Sequence, residues 1–85
     1  MVNEEYINQL LADFSDELNI LNIIDVLKTG PCSLGNLSKK THIDVSYLKG
    51  NVREMEQRNY VEEVNGKYQM TDFLKTELSK IEETN

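Results

Sequence analysis

Between positions 46 and 53 the chain places Ser46, Tyr47, Lys49, Gly50, Asn51 and Arg53 within eight residues. These are hydrogen-bonding and cationic side chains around one aromatic ring and one glycine, and no pair of candidate acid and base groups accompanies them. The chemistry open to such a set is recognition rather than bond-making. An asparagine amide can pair with an adenine edge, and an arginine with guanine or a phosphate. Tyr47 can stack on a base or a sugar. Lys39 and Lys40, a few residues earlier, suit phosphate anchoring, and Lys67, beside Asn65-Gly66, can touch phosphate or enter a minor groove.

The remaining reactive side chains do not assemble into a site. His42 is the only histidine, and its spacing to Asp44 and Cys32 matches no zinc motif. A solvent-exposed turn histidine is the simpler reading. Cys32 is the only cysteine, so neither an internal disulfide nor a thiolate cluster can form. Following Pro31 in a turn, it reads as a small, partly buried thiol rather than a redox switch. GxSxG, P-loop and dinucleotide fingerprints are absent. The expectation is a protein that is not an enzyme and uses no cofactor and no metal.

Charge is unevenly distributed. The chain carries −6 overall, yet residues 28–53 hold Lys28, Lys39, Lys40, Lys49 and Arg53 against Asp44 alone. A basic island in an acidic chain suffices for phosphate contact, which comes from a few side chains. The competing reading is ordinary solvated surface. Glu54 and Glu56 share a helix with Lys49 and Arg53, and Glu62 and Glu63 repel phosphate nearby. Glu54 stands four residues before Arg58, the spacing of a helical ion pair.

The elements that must position these groups follow from periodicity and punctuation. Residues 3–28 lack Gly and Pro and carry an apolar stripe: Ile7, Leu10, Leu11, Phe14, Leu18, Leu21, Ile24 and Leu27, widened by Ile20 and Ile23. One long helix with a kink near Ser15 is favoured over a second helix capped by Ser15. Gly30 and Pro31 end it. Ser33 caps a short helix to about Lys40, and Asp44 or Ser46 caps the next, from about Val45 to Arg58. Its buried stripe is Leu48, Val52 and Met55, with the candidate recognition residues off that stripe. Gly50 is read either as a glycine at a crowded helix crossing or as a point of close approach for a partner. Tyr60 to Val64 and Lys67 to Met70 flank Asn65-Gly66, a strong signal for a type I′ hairpin. Thr71-Asp72 opens a last helix to about Ile81, and residues 82–85 read as a frayed tail.

Two short helices followed by a hairpin, with Asn36-Leu37-Ser38, Val45-Ser46-Tyr47-Leu48, Asn59-Tyr60-Val61 and Tyr68-Gln69-Met70-Thr71, resemble the winged helix-turn-helix of prokaryotic transcription regulators, broadly the MarR and ArsR type. The resemblance covers Ile20 to Phe73. It implies an α+β, mostly α fold: a winged helix-turn-helix with a long N-terminal helix, a two-stranded wing and a C-terminal helix. The paired thiolates common in ArsR-type sensors are missing, and MarR-type proteins are longer. Winged helices of this pattern also serve as dimerisation modules of methyltransferases and as subunit-contact domains.

The expectation is therefore one domain over residues 1–85, binding double-stranded DNA as a homodimeric repressor. Residues 45–58 enter the major groove, and the wing lies on the backbone or in the minor groove. Residues 1–16, through Tyr6, Ile7, Leu10, Leu11 and Phe14, extend the first helix into a dimer interface, since they expose more apolar surface than a free helix tolerates. No apolar run approaches the roughly 18–20 residues of a membrane span, and Met1-Val2-Asn3-Glu4-Glu5 lacks a basic signal region, so the chain is expected to be cytoplasmic and free of membrane. The rival expectation is a winged helix used for protein contact.

Overall fold

The structure is a computed structural model that describes the backbone of residues 4–83 and the side chains of residues 8–80. Within these residues the order is α1 (Glu4–Leu11), α2 (Glu17–Leu27), α3 (Leu34–Thr41), α4 (Val45–Gln57), β1 (Val61–Val64), β2 (Lys67–Met70) and α5 (Asp72–Glu83).

The expected long first helix is two helices. α1 ends at Leu11, and Asp16 takes extended backbone and accepts from the Asn19 amide at 3.1 Å, capping α2. The cap is Asp16, one residue past Ser15. What fixes the break comes from distant residues. Ser15 Oγ donates to Glu54 Oε1 at 2.7 Å, and Arg58 donates to the Asp13 carbonyl at 2.9 Å. The Arg58 guanidinium also lies 4.8 Å from the centre of the Phe14 ring. These tertiary contacts override a locally helical sequence.

The break resets the helical phase. α2 buries Ile20, Ile23, Ile24 and Leu27 and leaves Leu18 78% exposed, although the unbroken stripe put Leu18 inside. The expected dimer face is altered for the same reason. Leu11 and Phe14 are buried in this chain's own core, and Leu10 packs against it half-buried. Phe14 meets Tyr60 at 5.3 Å between ring centres, and the Tyr60 hydroxyl donates to the Leu10 carbonyl at 2.7 Å. This segment folds back on its own domain. The side chains of Tyr6 and Ile7 lie outside the described residues.

Local chemistry sets the other boundaries. Ser33 caps α3 by accepting from the Asn36 amide, and His42, in left-handed conformation at φ 62°, closes it. Asp44 caps α4, and Asn59 at φ 61° ends it while the Tyr60 amide returns to the Met55 carbonyl at 2.8 Å. Asn65 (φ 54°) and Gly66 (φ 78°) form the two-residue hairpin turn, which sets the antiparallel register Val64↔Lys67 to Val61↔Met70. Cys32 adds an isolated bridge to Tyr68, with bonds of 2.9 and 2.8 Å. The Thr71 hydroxyl donates to the Asn59 carbonyl at 2.6 Å and accepts from the Leu74 amide at 3.2 Å, which caps α5. α5 continues to Glu83, so Glu82 and Glu83 are helical rather than tail; residues 84–85 are outside the described residues. One core joins all the helices: Leu11, Ile20, Ile23, Leu37, Leu48, Met55 and Leu74 are its most deeply buried members.

Candidate nucleic-acid interface

α4 is the element that decides what the chain presents. Leu48, Asn51, Val52 and Met55 turn inward, and the opposite ridge carries Ser46, Gly50, Arg53 and Gln57 at i, i+4, i+7 and i+11. Lys49 and Tyr47 flank that ridge, both exposed, Tyr47 to 72%. Ser46 is exposed but already committed: its amide and hydroxyl both donate to Asp44 Oδ1 at 2.9 Å. Lys39 and Lys40 occupy the last turn of α3, and Lys67 follows Gly66 at the hairpin tip, all three exposed.

Asn51 departs from expectation. It is 6% exposed and its amide oxygen accepts from Asn19 Nδ2 of α2 at 3.1 Å. Position 51 is i+3 from Leu48 and i−4 from Met55, so it shares their inward face. That spacing was the signal available in the sequence. Asn51 ties α4 to α2 and does not face outward to meet a base. Gln57 lies on the outward ridge in its place.

Gly50 is not at a crowded crossing either: a Cβ there meets no atom within 4 Å. Glu54 does not pair with Arg58. It turns toward the α1–α2 joint, accepting from Ser15, while Arg58 pairs with Asp13 at 3.4 Å.

The cations divide into two groups. Lys28 pairs with Asp25 at 3.8 Å, Arg58 with Asp13, and Lys80 with Glu77 at 3.3 Å. Among the described residues, Lys39, Lys40, Lys49, Arg53 and Lys67 have no ion-pair partner; Lys75 on α5 is the other such lysine. Carboxylates border this surface: Asp44 is bonded to Ser46 on the ridge itself, and others lie on either side. Asp16 and Glu54 line a groove of about 400 Å³ between α2 and α4, whose other lining includes Asn19, Tyr47 and Gly50. On the hairpin side, burial, with the Glu63 and Glu56 carboxylates, holds the Tyr68 phenol above its usual pKa, and Glu62 accepts from Gln69 at 2.8 Å.

Asp44 links the turn to the start of α4. The Ser46 amide and hydroxyl bonds hold its carboxyl below the usual aspartate range. Its folded pKa is thus lower than its unfolded one. The associated stability is present above the unfolded pKa of about 3.9 and is lost as pH falls through the folded value. Asp44→Asn keeps a good capping acceptor and removes the titration. The expected result is a shallower loss of stability below pH ~4 than in the unaltered chain, read as denaturation midpoint against pH. An unchanged acid limb would show that Asp44 does not contribute to it.

Among the described residues no group of three His, Cys, Asp or Glu side chains is placed to hold a metal, and no helix is long and apolar enough to cross a membrane. His42 is exposed, and Cys32 is a buried thiol in the bridge to Tyr68.

No protein-family model matches the sequence, and no curated protein matches it. Solved structures do match the fold. A MarR family protein from Bacillus stearothermophilus superposes with a TM-score of 0.69 at 16% identity, over 95% of this chain and 61% of that one. A structure of PigF with SAH superposes with a TM-score of 0.60 at 11% identity, over 88% of this chain and 24% of that one. The chain thus spans less than two thirds of either protein. At such identities the likeness is one of fold: a winged helix like that of the MarR family protein, built here from short N-terminal helices.

Proposed function

We propose that this chain is a DNA-binding transcriptional regulator that acts by occupying a site on double-stranded DNA, without catalysis. The observation that carries the proposal is the set of unpaired cations on the helix-turn-helix surface. Among the described residues, Lys39, Lys40, Lys49, Arg53 and Lys67 are exposed and free of carboxylate partners, as is Lys75 on α5, whereas Lys28, Arg58 and Lys80 are tied to Asp25, Asp13 and Glu77. Cations left unpaired on an acidic chain retain their field for a polyanion. In this reading α4 enters the major groove with Ser46, Gly50, Arg53 and Gln57 foremost. Tyr47 and Lys49 flank them, and Lys39 and Lys40 hold phosphates. Lys67 brings the wing tip to the backbone or minor groove. In this reading the protein acts in the cytoplasm as a repressor.

A mobility-shift titration at two salt concentrations tests this. If each of the five cations neutralises one phosphate, log affinity falls against log salt with a slope near −4 to −5 per chain. A slope near zero, or no complex at low salt, contradicts the proposal.

We further propose a homodimer. With Leu11 and Phe14 consumed by the core, the surface we assign to it is the groove of about 270 Å³ lined by Gln9, Leu10, Tyr60, Phe73 and Glu77, between α1 and α5. Two copies would set their recognition helices about one DNA turn apart, roughly 34 Å, over a palindromic site. Sedimentation equilibrium is expected to give twice the chain mass of 9.8 kDa. A 9.8 kDa species persisting at high micromolar concentration removes the dimer.

A second reading, a winged helix that contacts protein rather than DNA, is favoured by the net charge of −6 and by Glu62 and Glu63 on the wing. The salt titration separates the two.

A further inference from the structure

We propose that Gly50 is where bound DNA comes against the backbone of α4, and that the group approaching it is a base edge rather than a phosphate. The inference rests on the DNA-binding reading above and deepens it.

A glycine inside a helix destabilises it relative to alanine, so its presence needs a reason. Gly30 and Gly66 have one in their positive φ angles of 134° and 78°. Gly35 stands in the first turn of α3, where little helix precedes it. Among the described residues Gly50 has no such reason. It is interior to α4, has no positive φ, is exposed, and faces open space: a Cβ would meet nothing within 4 Å. The room its missing side chain leaves is open to a group from outside.

Its place in α4 says what that is. Gly50 lies between Ser46 and Arg53 on the outward ridge, flanked by the unpaired Lys49. It also lines the groove between α2 and α4, which Asp16 and Glu54 border. Two carboxylates there repel a phosphate. A base edge carries no net charge, and the exposed amino groups of adenine and cytosine are donors that tolerate nearby carboxylates. Close approach of a base edge therefore suits this position, while phosphates suit the lysines.

The test compares the unaltered chain with Gly50→Ala, Gly50→Leu and the double variant Lys49→Ala, Arg53→Ala. The probe is a short duplex enriched by the unaltered chain from a pool with a randomised centre. Gly50→Ala is expected to raise the melting temperature by about 4–8 °C and to weaken the duplex complex about tenfold. Gly50→Leu keeps the gain in stability and weakens the complex further. Because no phosphate contact is removed, both leave the salt slope of binding unchanged. Tight binding by both glycine variants, with loss only in the double variant, overturns the role of Gly50 and leaves the DNA-binding reading intact. A loss accompanied by a salt slope shallower by about 0.9 assigns a phosphate to the position and overturns the base-edge part. An unaltered chain that enriches no duplex removes both readings together.

Discussion

Lys49→Ala combined with Arg53→Ala is expected to lower affinity for duplex DNA by at least about a hundredfold while leaving the thermal transition within about 4–8 °C of the unaltered chain. Both side chains are exposed and neither has an ion-pair partner among the described residues. Their removal therefore costs the fold no ion pair, and single surface changes of this kind usually fall within about ±0.5 kcal/mol. Binding depends on them differently. An arginine reading guanine supplies about 1–3 kcal/mol of discrimination, and a lysine on phosphate contributes through counterion release. Anisotropy titration alongside a melting curve checks both halves. An affinity within a factor of about three of the original (under ~1 kcal/mol, less than one base contact) would place the DNA surface elsewhere.

Leu48→Ala, one residue away, is expected to behave in the opposite manner. Leu48 is fully buried on the inward face of α4 within the common core. Truncating such a leucine costs about 2–5 kcal/mol, from lost transfer energy and the cavity left behind. A domain of this size has roughly 4–13 kcal/mol in total. The melting temperature should fall by more than about 10 °C, and DNA binding should decline only because less of the chain is folded. Denaturant titration reads the loss directly. A midpoint shift worth less than about 1 kcal/mol would mean that α4 is not seated by this side chain.

This contrast between neighbouring positions was legible in the sequence, because Leu48, Val52 and Met55 recur at helical spacing and Lys49 and Arg53 do not join them. The hairpin was legible for a stronger reason: Asn65 and Gly66 both take positive φ, which few other residue pairs tolerate. Ser33, Asp44 and Thr71 marked helix starts through short-range bonds that the sequence implies.

What escaped was set by contacts between distant residues. The interruption between α1 and α2 depends on Glu54 and Arg58 reaching back to Ser15 and Asp13, and no local signal gives either pairing. Once that joint is broken, the apolar stripe no longer runs in one phase. Leu18 then emerges to solvent while Leu11 and Phe14 stay in the core. Asn51 was recoverable, since its spacing to Leu48 and Met55 is the same evidence that buried them. The Cys32–Tyr68 bridge pairs single residues and leaves no periodicity to read.

The joint also gives Arg58 a positioning role within the fold. Through Asp13, the Phe14 ring and the end of α4, it fixes how α1 is set against α4. If α1 contributes to the proposed dimer, the spacing of the two recognition helices is transmitted through this residue.

The most direct measurement is a titration of the isotopically labelled chain with duplex DNA, followed by amide chemical shifts residue by residue. The expected result is that the largest changes fall on Lys39, Lys40, the outward ridge from Ser46 to Gln57, and Lys67. Leu37, Leu74 and the rest of the buried core should change little. Changes gathered instead on α1, α5 and the wing glutamates, or none at all at low salt, would show that the cationic side of α4 does not face nucleic acid.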